Sequence, residues 1–383
     1  MRHLLQEMRD FFRKGDLVLL LLCLVATAYG LLAIATATNH MGYSRFVRIQ
    51  MLAIGLGVVF YIFMSSIDLD IFFEHRMILF VANFILLGLL IPFGTDNDTG
   101  NKSWLDFPFL PILIQPAEIC KIFYILIMAS VMSSHQNRLS SIPSVMHMVM
   151  HLILLVGINM VVSKDLGVSL IFVAIFIGMT FSGGVSGIWF AIAIGGLVVG
   201  APALWPFLSE RQQQRIEVLW NPDIDPLGIG VRYQSKLTLR SLTGGGLTGQ
   251  GLFQGNRTQA GDLPAQHNDA IIAAIGEELG FLGIMLVILL LTAIIVRCVY
   301  VGIHTPDFSR KMVCYGAATA LIFQTISNIG MNIGSTPIIG LTLPFISYGG
   351  SSIVTIFAML GLVSGVKARP APGKQGTYIQ PPR

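Results

Sequence analysis

Charge is what this chain has least of. Only 11% of its residues are Asp, Glu, Lys or Arg, less than half the roughly 25% of soluble domains. The net charge of +4 is too small for a nucleic-acid-binding face, so nucleic acid is excluded as a partner. Cysteine is scarce too. Cys23, Cys120, Cys298 and Cys314 lie in or beside apolar runs. No CxxC or similar metal spacing links them, and no disulfide framework is readable. They read as small buried apolar residues. No tandem repeat stands out, although an inverted repeat of the transporter kind is hard to see at this level. No A-x-A cleavage site follows the basic flank that ends at Lys14, and the run 17–38 is too long for a signal-peptide core. That run is expected to be a retained first span.

What is present is apolar length. Hydrophobic residues make up 54% of the chain. Apolar runs recur along it, each long enough to cross a hydrocarbon core of ~30 Å. Ten spans fit, near 17–38, 50–67, 76–94, 115–133, 146–162, 167–183, 186–204, 268–297, 312–333 and 351–367. The sequence therefore predicts an all-α, polytopic membrane protein with about ten transmembrane helices. Residues 1–370 form one integral-membrane domain with a long outer loop at 205–267. The Pro- and Gln-rich tail 371–383 reads as disordered. With the N-terminus inside, the inner segments hold thirteen Lys and Arg, and the short outer loops hold only Arg45, Arg48, Lys102 and Lys164. That asymmetry predicts cytoplasmic N- and C-termini.

In so apolar a chain, each ionisable residue within or beside a span is a candidate for function. Asp269 ends the long loop and stands at the edge of the eighth span, after His267 and Asn268. Capping of that span by Asn268 or Asp269 is the plain alternative. Glu277 follows near the same face, about 12 Å further in, and a row of acids lining a polar cavity is expected. His267 is otherwise an ordinary interfacial imidazole. Trp104 suits either the lipid–water interface or stacking on a sugar. Glu118 suits the first turn of the fourth span, after Pro116. Lys121 lies at i+3 from it, where the two pair easily. Lys164 and Asp165 occupy a very short outer connection, as solvated turn residues or as part of the site.

In the long loop, Arg232, Lys236 and Arg240 recur every four residues, which aligns them on one helix face. Such a row is a solvated face or a receptor for pyrophosphate. The glycine-rich run Thr243–Gly255 is no P-loop, because no Gly-Lys-Ser/Thr closes it. It reads as a flexible surface loop or as backbone built for close approach to a ligand. Between the last two spans, Asn328–Ser352 mixes Gly, Pro, Ser and Asn into apolar sequence. Non-helical backbone at that depth belongs in a buried or cavity-lining position.

These motifs together resemble the SEDS family (shape, elongation, division and sporulation proteins), and the RodA branch more than FtsW. The residues that carry the resemblance are Trp104 with Gln115-Pro116-Ala117-Glu118, Asp165-Leu166-Gly167, Asn221-Pro222 with Asp225-Pro226-Leu227-Gly228, and Tyr233-Gln234. Leu263-Pro264 with His267-Asn268-Asp269, Gly276-Glu277-Glu278-Leu279-Gly280, and Pro344 to Ser352 with Ser347 complete it. Ala265, Asn268 and Ala270 depart from the usual pattern around the acid. The resemblance implies an inverting peptidoglycan glycosyltransferase that polymerises lipid II at the outer face of the bacterial cytoplasmic membrane, for elongation and shape. It implies a catalytic acid at Asp269, a functional tryptophan at Trp104, and a class B penicillin-binding protein, a transpeptidase, as partner. The expected substrate-binding set is Trp104, Glu118, Lys121, Asp165, Arg232, Lys236, Arg240, His267, Glu277 and Ser347. No organic cofactor is expected; a divalent cation, Mg or Mn, is compatible, with Asp269 as a metal ligand. The alternatives are a lipid II flippase, a division- or sporulation-specific polymerase, and a non-catalytic scaffold.

Overall fold

The computed structural model describes residues 13–42, 44–95, 101–107, 113–208, 210–226, 228–230 and 232–369. The tail 371–383 lies outside them. Among the described residues, eight helices are long and apolar enough to cross a membrane: α1 (Leu17–Ala37), α2 (Ser44–Ser66), α3 (Arg76–Phe93), α4 (Pro116–Ser134), α5 (Ile142–Val162), and, later in the chain, α8 (Ile271–Ile303), α9 (Phe308–Asn332) and α10 (Gly350–Ala368). Two shorter apolar helices, α6 (Leu166–Ser182) and α7 (Gly187–Leu204), complete ten. The protein is a multi-pass, all-α membrane protein. The helix starts follow the local chemistry of caps. Asp16 accepts from the Leu19 N–H at 3.2 Å, Asp165 from Val168 at 3.0 Å and Asp307 from Arg310 at 2.9 Å. Pro116 occupies the first turn of α4.

Burial separates the helices into two roles. In α4 and α10, 78% of the apolar window is buried, and in α9 67%, against 22% in α2, α3 and α5. The first three are therefore the centre of the bundle, and the others present apolar faces outward. α7 buries none of its described side chains. The four cysteines are all buried, as expected of small apolar residues.

Buried ion pairs tie the helix ends away from the long loop. Asp16, fully buried, accepts from Arg297 at 2.8 and 3.0 Å and pairs with Lys367 at 3.3 Å, joining the end before α1 to α8 and α10. Arg310, at the start of α9, reaches Asp68 at 3.1 Å and Asp70 at 2.9 Å. A carboxylate or guanidinium taken out of water is tolerated only with such a partner.

One expectation needs correcting. The eighth span is not a continuous helix from 268. Gly280 has φ 66° and ψ −163° and breaks α8 into 271–279 and 281–303. L side chains rarely adopt that backbone conformation. The glycine-rich loop fills the break: the N–H groups of Gln250 and Gly251 donate to the carbonyls of Glu277 and Glu278, and those of Phe281 and Leu282 donate to Gly246 and Leu247. The run Thr243–Gly255 is thus backbone packed against backbone. A Cβ on Gly245 would collide with the Gly276 carbonyl.

Candidate active site

Asp269 lies just before α8, and capping does not account for it. The N-cap of α8 is Ala270, with no side-chain capping bond. The Asp269 carboxyl is half-buried. Surrounding protein pushes its pKa up from 3.8 to about 6; nearby Asp165 adds to the rise and Arg215 opposes it. Desolvation penalises the charged form, a second carboxylate penalises it further, and a guanidinium relieves it.

The backbone beneath the acid is held at three consecutive carbonyls. Tyr348 N–H donates to His267 O at 2.8 Å, Ser347 Oγ donates to Asn268 O at 2.6 Å, and the side-chain amides of Asn328 and Asn332 donate to Asp269 O at 3.1 and 2.8 Å. The broken connection between α9 and α10 therefore forms the bed of the acid, as its composition predicted. Gly340 in that connection has φ 68°, and a Cβ there would lie 3.6 Å from Asp269 Oδ2, in contact with the carboxylate.

Asp165 stands on the other side of the same connection. A Cβ on its neighbour Gly167 would meet Ile339 O at 2.5 Å. Asp165 Oδ1 caps α6, and Oδ2 accepts from Ser103 Oγ at 3.2 Å and Gln115 Nε2 at 3.3 Å. Burial raises its pKa; the Val168 N–H and Ser103 oppose the rise, and Glu118 adds to it. Glu118 and Lys121 form a buried ion pair at 2.8 Å, and Thr355 Oγ1 donates to Glu118 at 3.1 Å. Trp104, half-buried, follows Ser103 in β2 (Trp104–Leu105), which pairs with β1 (Gly94–Thr95). Asp165 thus links Asp269 on one side to Glu118 on the other and, through Ser103, to the strand that carries Trp104.

Other expectations fail. Glu277 does not line a cavity. It is fully buried, and its carboxylate accepts from the N–H groups of Arg257 and Thr258 at 3.1 and 2.8 Å and from Thr258 Oγ1 at 2.6 Å. Glu278 accepts from the N–H groups of Phe253 and Gly255 and from Gln259 Nε2 at 2.6 Å. Both acids anchor the loop 250–259. Ser347 is spent on the backbone, since it also accepts from the Leu343 N–H at 2.9 Å. His267 is wedged between Phe46 and Tyr348, at ring separations of 5.1 and 5.7 Å, and its burial lowers its pKa.

The row Arg232, Lys236 and Arg240 does fall on one face of a short helix, Tyr233–Gly244. It lies opposite buried Thr238 and Ser241, which face the bundle. The cation coupled to Asp269 is instead Arg215, which the reading of the sequence missed because the i, i+4 row was the stronger signal. Arg215 reaches the Ile338 carbonyl at 2.9 Å. Gln115, Asn328 and Asn332 lay in motifs already singled out but, like Ser103, were given no role in the site; no spacing links them to Asp269 or Asp165. Near the acid, the side-chain oxygens of Asn268 and Asn328 and the Nδ1 of His267 find no hydrogen-bond partner among the described residues. Buried polar atoms of this kind are met by water or a ligand.

Two half-buried carboxylates, a cation coupled to one of them, and polar atoms without a partner among the described residues thus lie together at one end of a helical membrane bundle. Comparison with known proteins then gives the family. Residues 16–370 match the FtsW/RodA/SpoVE family of cell cycle proteins, and the chain belongs to it. It is 31% identical to the peptidoglycan glycosyltransferase MrdB of Escherichia coli K12, covering 92% of this chain and 93% of that one. It is 30% identical to the stage V sporulation protein E of Bacillus subtilis, over 93% and 96%. Among solved structures, it resembles a chain from a study of how a peptidoglycan synthase complex coordinates polymerization and crosslinking, with TM-score 0.80, 25% identity, and 94% and 99% coverage. The rod shape determining protein RodA of Thermus thermophilus shares the fold, with TM-score 0.69, 22% identity, and 93% and 97% coverage.

Proposed function

We propose that this protein is a peptidoglycan glycosyltransferase that polymerises lipid II, of the elongation type, with Asp269 as its base. The observation that carries the reading is a half-buried carboxyl pushed up to about 6, held at the floor of the cleft by backbone contacts alone. The names of the relatives support the activity. Lipid II carries its sugar on an α-linked pyrophosphate, and the glycan product is β-linked. Inversion requires in-line attack by a 4-hydroxyl, and a carboxylate within hydrogen-bond reach of that hydroxyl removes its proton. A base with a pKa near 6 is mostly ionised at neutral pH yet stronger than an ordinary carboxylate. Trp104 offers a sugar-stacking face, Arg215 with the Arg232, Lys236 and Arg240 row offers charge to the departing pyrophosphate, and the Glu118–Lys121 pair braces the wall beside Asp165.

Among the described residues no group of three or more His, Cys, Asp or Glu gathers in metal-binding geometry. A Mg or Mn ion typically takes one or two carboxylates and completes its shell with water and substrate phosphate, and Asp165 and Asp269 fit that. Bound there, the ion would neutralise the leaving pyrophosphate. The excess of inner Lys and Arg supports cytoplasmic termini and an outward-facing cleft. The similarity to a chain of a synthase complex supports a class B penicillin-binding protein as partner.

Purified protein supplied with lipid II tests the reading. Wild type is expected to make polymer, and Asp269→Asn none. Undiminished polymer from a well-folded Asp269→Asn protein would overturn the role of the acid. Lipid II translocation in liposomes without any polymer would overturn the enzyme in favour of a flippase.

A further inference from the structure

A second cavity, of about 230 Å³, opens between α3, α4 and α5. It lies at the opposite end of these helices from Trp104 and Asp165, since Arg76 begins α3 and His135 ends α4. Its walls are of two kinds. Met77, Met150 and Leu154 make it apolar, and Met77 and Met150 are 62% and 51% exposed, so it is open to the surroundings of the bundle. The mouth is basic. Arg76 lies within 3.5 Å of Ser134 Oγ at the end of α4. The imidazoles of His135, His147 and His151 form a ladder, with ring separations of 5.2 and 5.1 Å.

Behind His151 the cavity continues as a slot of about 10 Å³. Asn83 and Tyr124, 2% and 1% exposed, line it, and Asn83 Oδ1 and Tyr124 Oη find no partner among the described residues. Buried polar atoms facing a cavity are otherwise costly. None of these residues belongs to the Asp269 cleft.

We infer that this cavity is a binding site for an anionic phospholipid. Its phosphate would lie against Arg76, His135 and His147, its ester region would reach His151, and its acyl chains would run along Met77, Met150 and Leu154. A basic group beside exposed apolar surface at a helix end complements an amphiphile whose head is negative and whose tail is hydrocarbon. Basic pockets between membrane helices on the cytoplasmic side bind such headgroups. The assignment to the inner leaflet rests on the orientation proposed above; the assignment of the ligand does not.

Native mass spectrometry of the detergent-purified full chain, titrated with dioleoylphosphatidylglycerol or dioleoylphosphatidylcholine, tests it independently of leaflet and of polymerisation. Wild type is expected to retain the anionic lipid in preference to the zwitterionic one. Arg76→Gln should weaken that retention about five-fold, the worth of one basic group at a membrane surface, and Arg76→Gln/His147→Gln should remove the preference. Arg138→Gln, an exposed cation in the neighbouring loop, should leave it intact. Unchanged thermal unfolding of the variants in lipid-free detergent confirms their fold. Equal retention of both lipids by wild type, or an undiminished preference in the double variant, overturns the proposal. Displacement of the lipid by glycerol phosphate at matched concentration would make this a site for free phosphate and overturn it equally.

Discussion

If Asp269 is the base, the acid limb of the polymerisation rate must report its pKa. A carboxyl that titrates at about 6 is about nine-tenths ionised at pH 7 and about one-tenth ionised at pH 5. The rate should therefore hold near its plateau above pH 7 and fall about ten-fold by pH 5. An ordinary carboxylate near 3.8 would lose almost nothing over that range. Any titrating group on the substrate would distort the profile, so it needs a control that leaves substrate untouched. Asp165→Asn provides it. Asp165 is the second cause of the raised pKa, after burial, and removing its charge makes Asp269 easier to ionise. The acid limb should then move to lower pH without returning to 3.8, because burial remains. The assay is polymer yield from purified wild-type and Asp165→Asn protein between pH 4.5 and 8, with folding followed in parallel. A wild-type limb near pH 4, or a limb that stays at about 6 in Asp165→Asn, would refute this account of the site.

Asp269→Asn should also change stability. The folded pKa of Asp269 lies above its unfolded value, so the acid favours the fold when protonated and loses that advantage as pH rises through about 6. Replacement by the neutral amide should raise Tm at pH 8, with the gain shrinking as pH falls through about 6 towards 3.8; a variant no more stable than wild type at pH 8 would count against the burial of this acid. Glu278→Ala removes an acceptor from two backbone N–H groups and from Gln259. Hydrogen bonds to a charged group contribute about 1.5–3 kcal/mol each, so hydrogen exchange should speed up in 250–259 by at least ten-fold, and protection equal to wild type would show that the loop is held by other means.

The spans were legible because apolar length is a local property. α1, α3, α6 and α7 lie within about a residue of the sequence-based ranges, and α2, α5 and α9 begin a few residues earlier than expected. The kink at Gly280 was not legible. Apolar helical sequence continues on both sides of it, and the reason for the break is a loop some 30 residues away in the chain whose backbone enters the gap. The same non-local packing explains the misreading of Glu277. Its i+8 relation to Asp269 put both on one face of a straight helix, but the carboxylate is consumed by Arg257 and Thr258. The motifs located Asp269, Asp165, Glu118 and Trp104 separately; their convergence is set by the chain between α9 and α10, which passes Gly167 at Ile339 and Asp269 at Gly340.

Two aspartates of the long segment before α8, Asp225 and Asp269, differ in what their carboxylates accept. Asp225 accepts from the backbone N–H groups of Ile229, Gly230 and Arg232 at 2.9–3.1 Å. Those donors, the Arg232 N–H foremost, hold its carboxyl below the usual range, and a carboxylate so satisfied is a poor base. Around Asp269 the donors are spent differently. The amides of Asn328 and Asn332, the hydroxyl of Ser347 and the N–H of Tyr348 all go to the carbonyls of residues 267–269. The backbone is fixed while, among the described residues, no backbone N–H donates to the side chain. Position and basicity are thereby set by separate groups: the polar residues of α9 and its connection to α10 place the acid, and burial beside Asp165 raises its affinity for a proton. A general base needs both at once, and backbone donors on the carboxylate would have worked against the basicity.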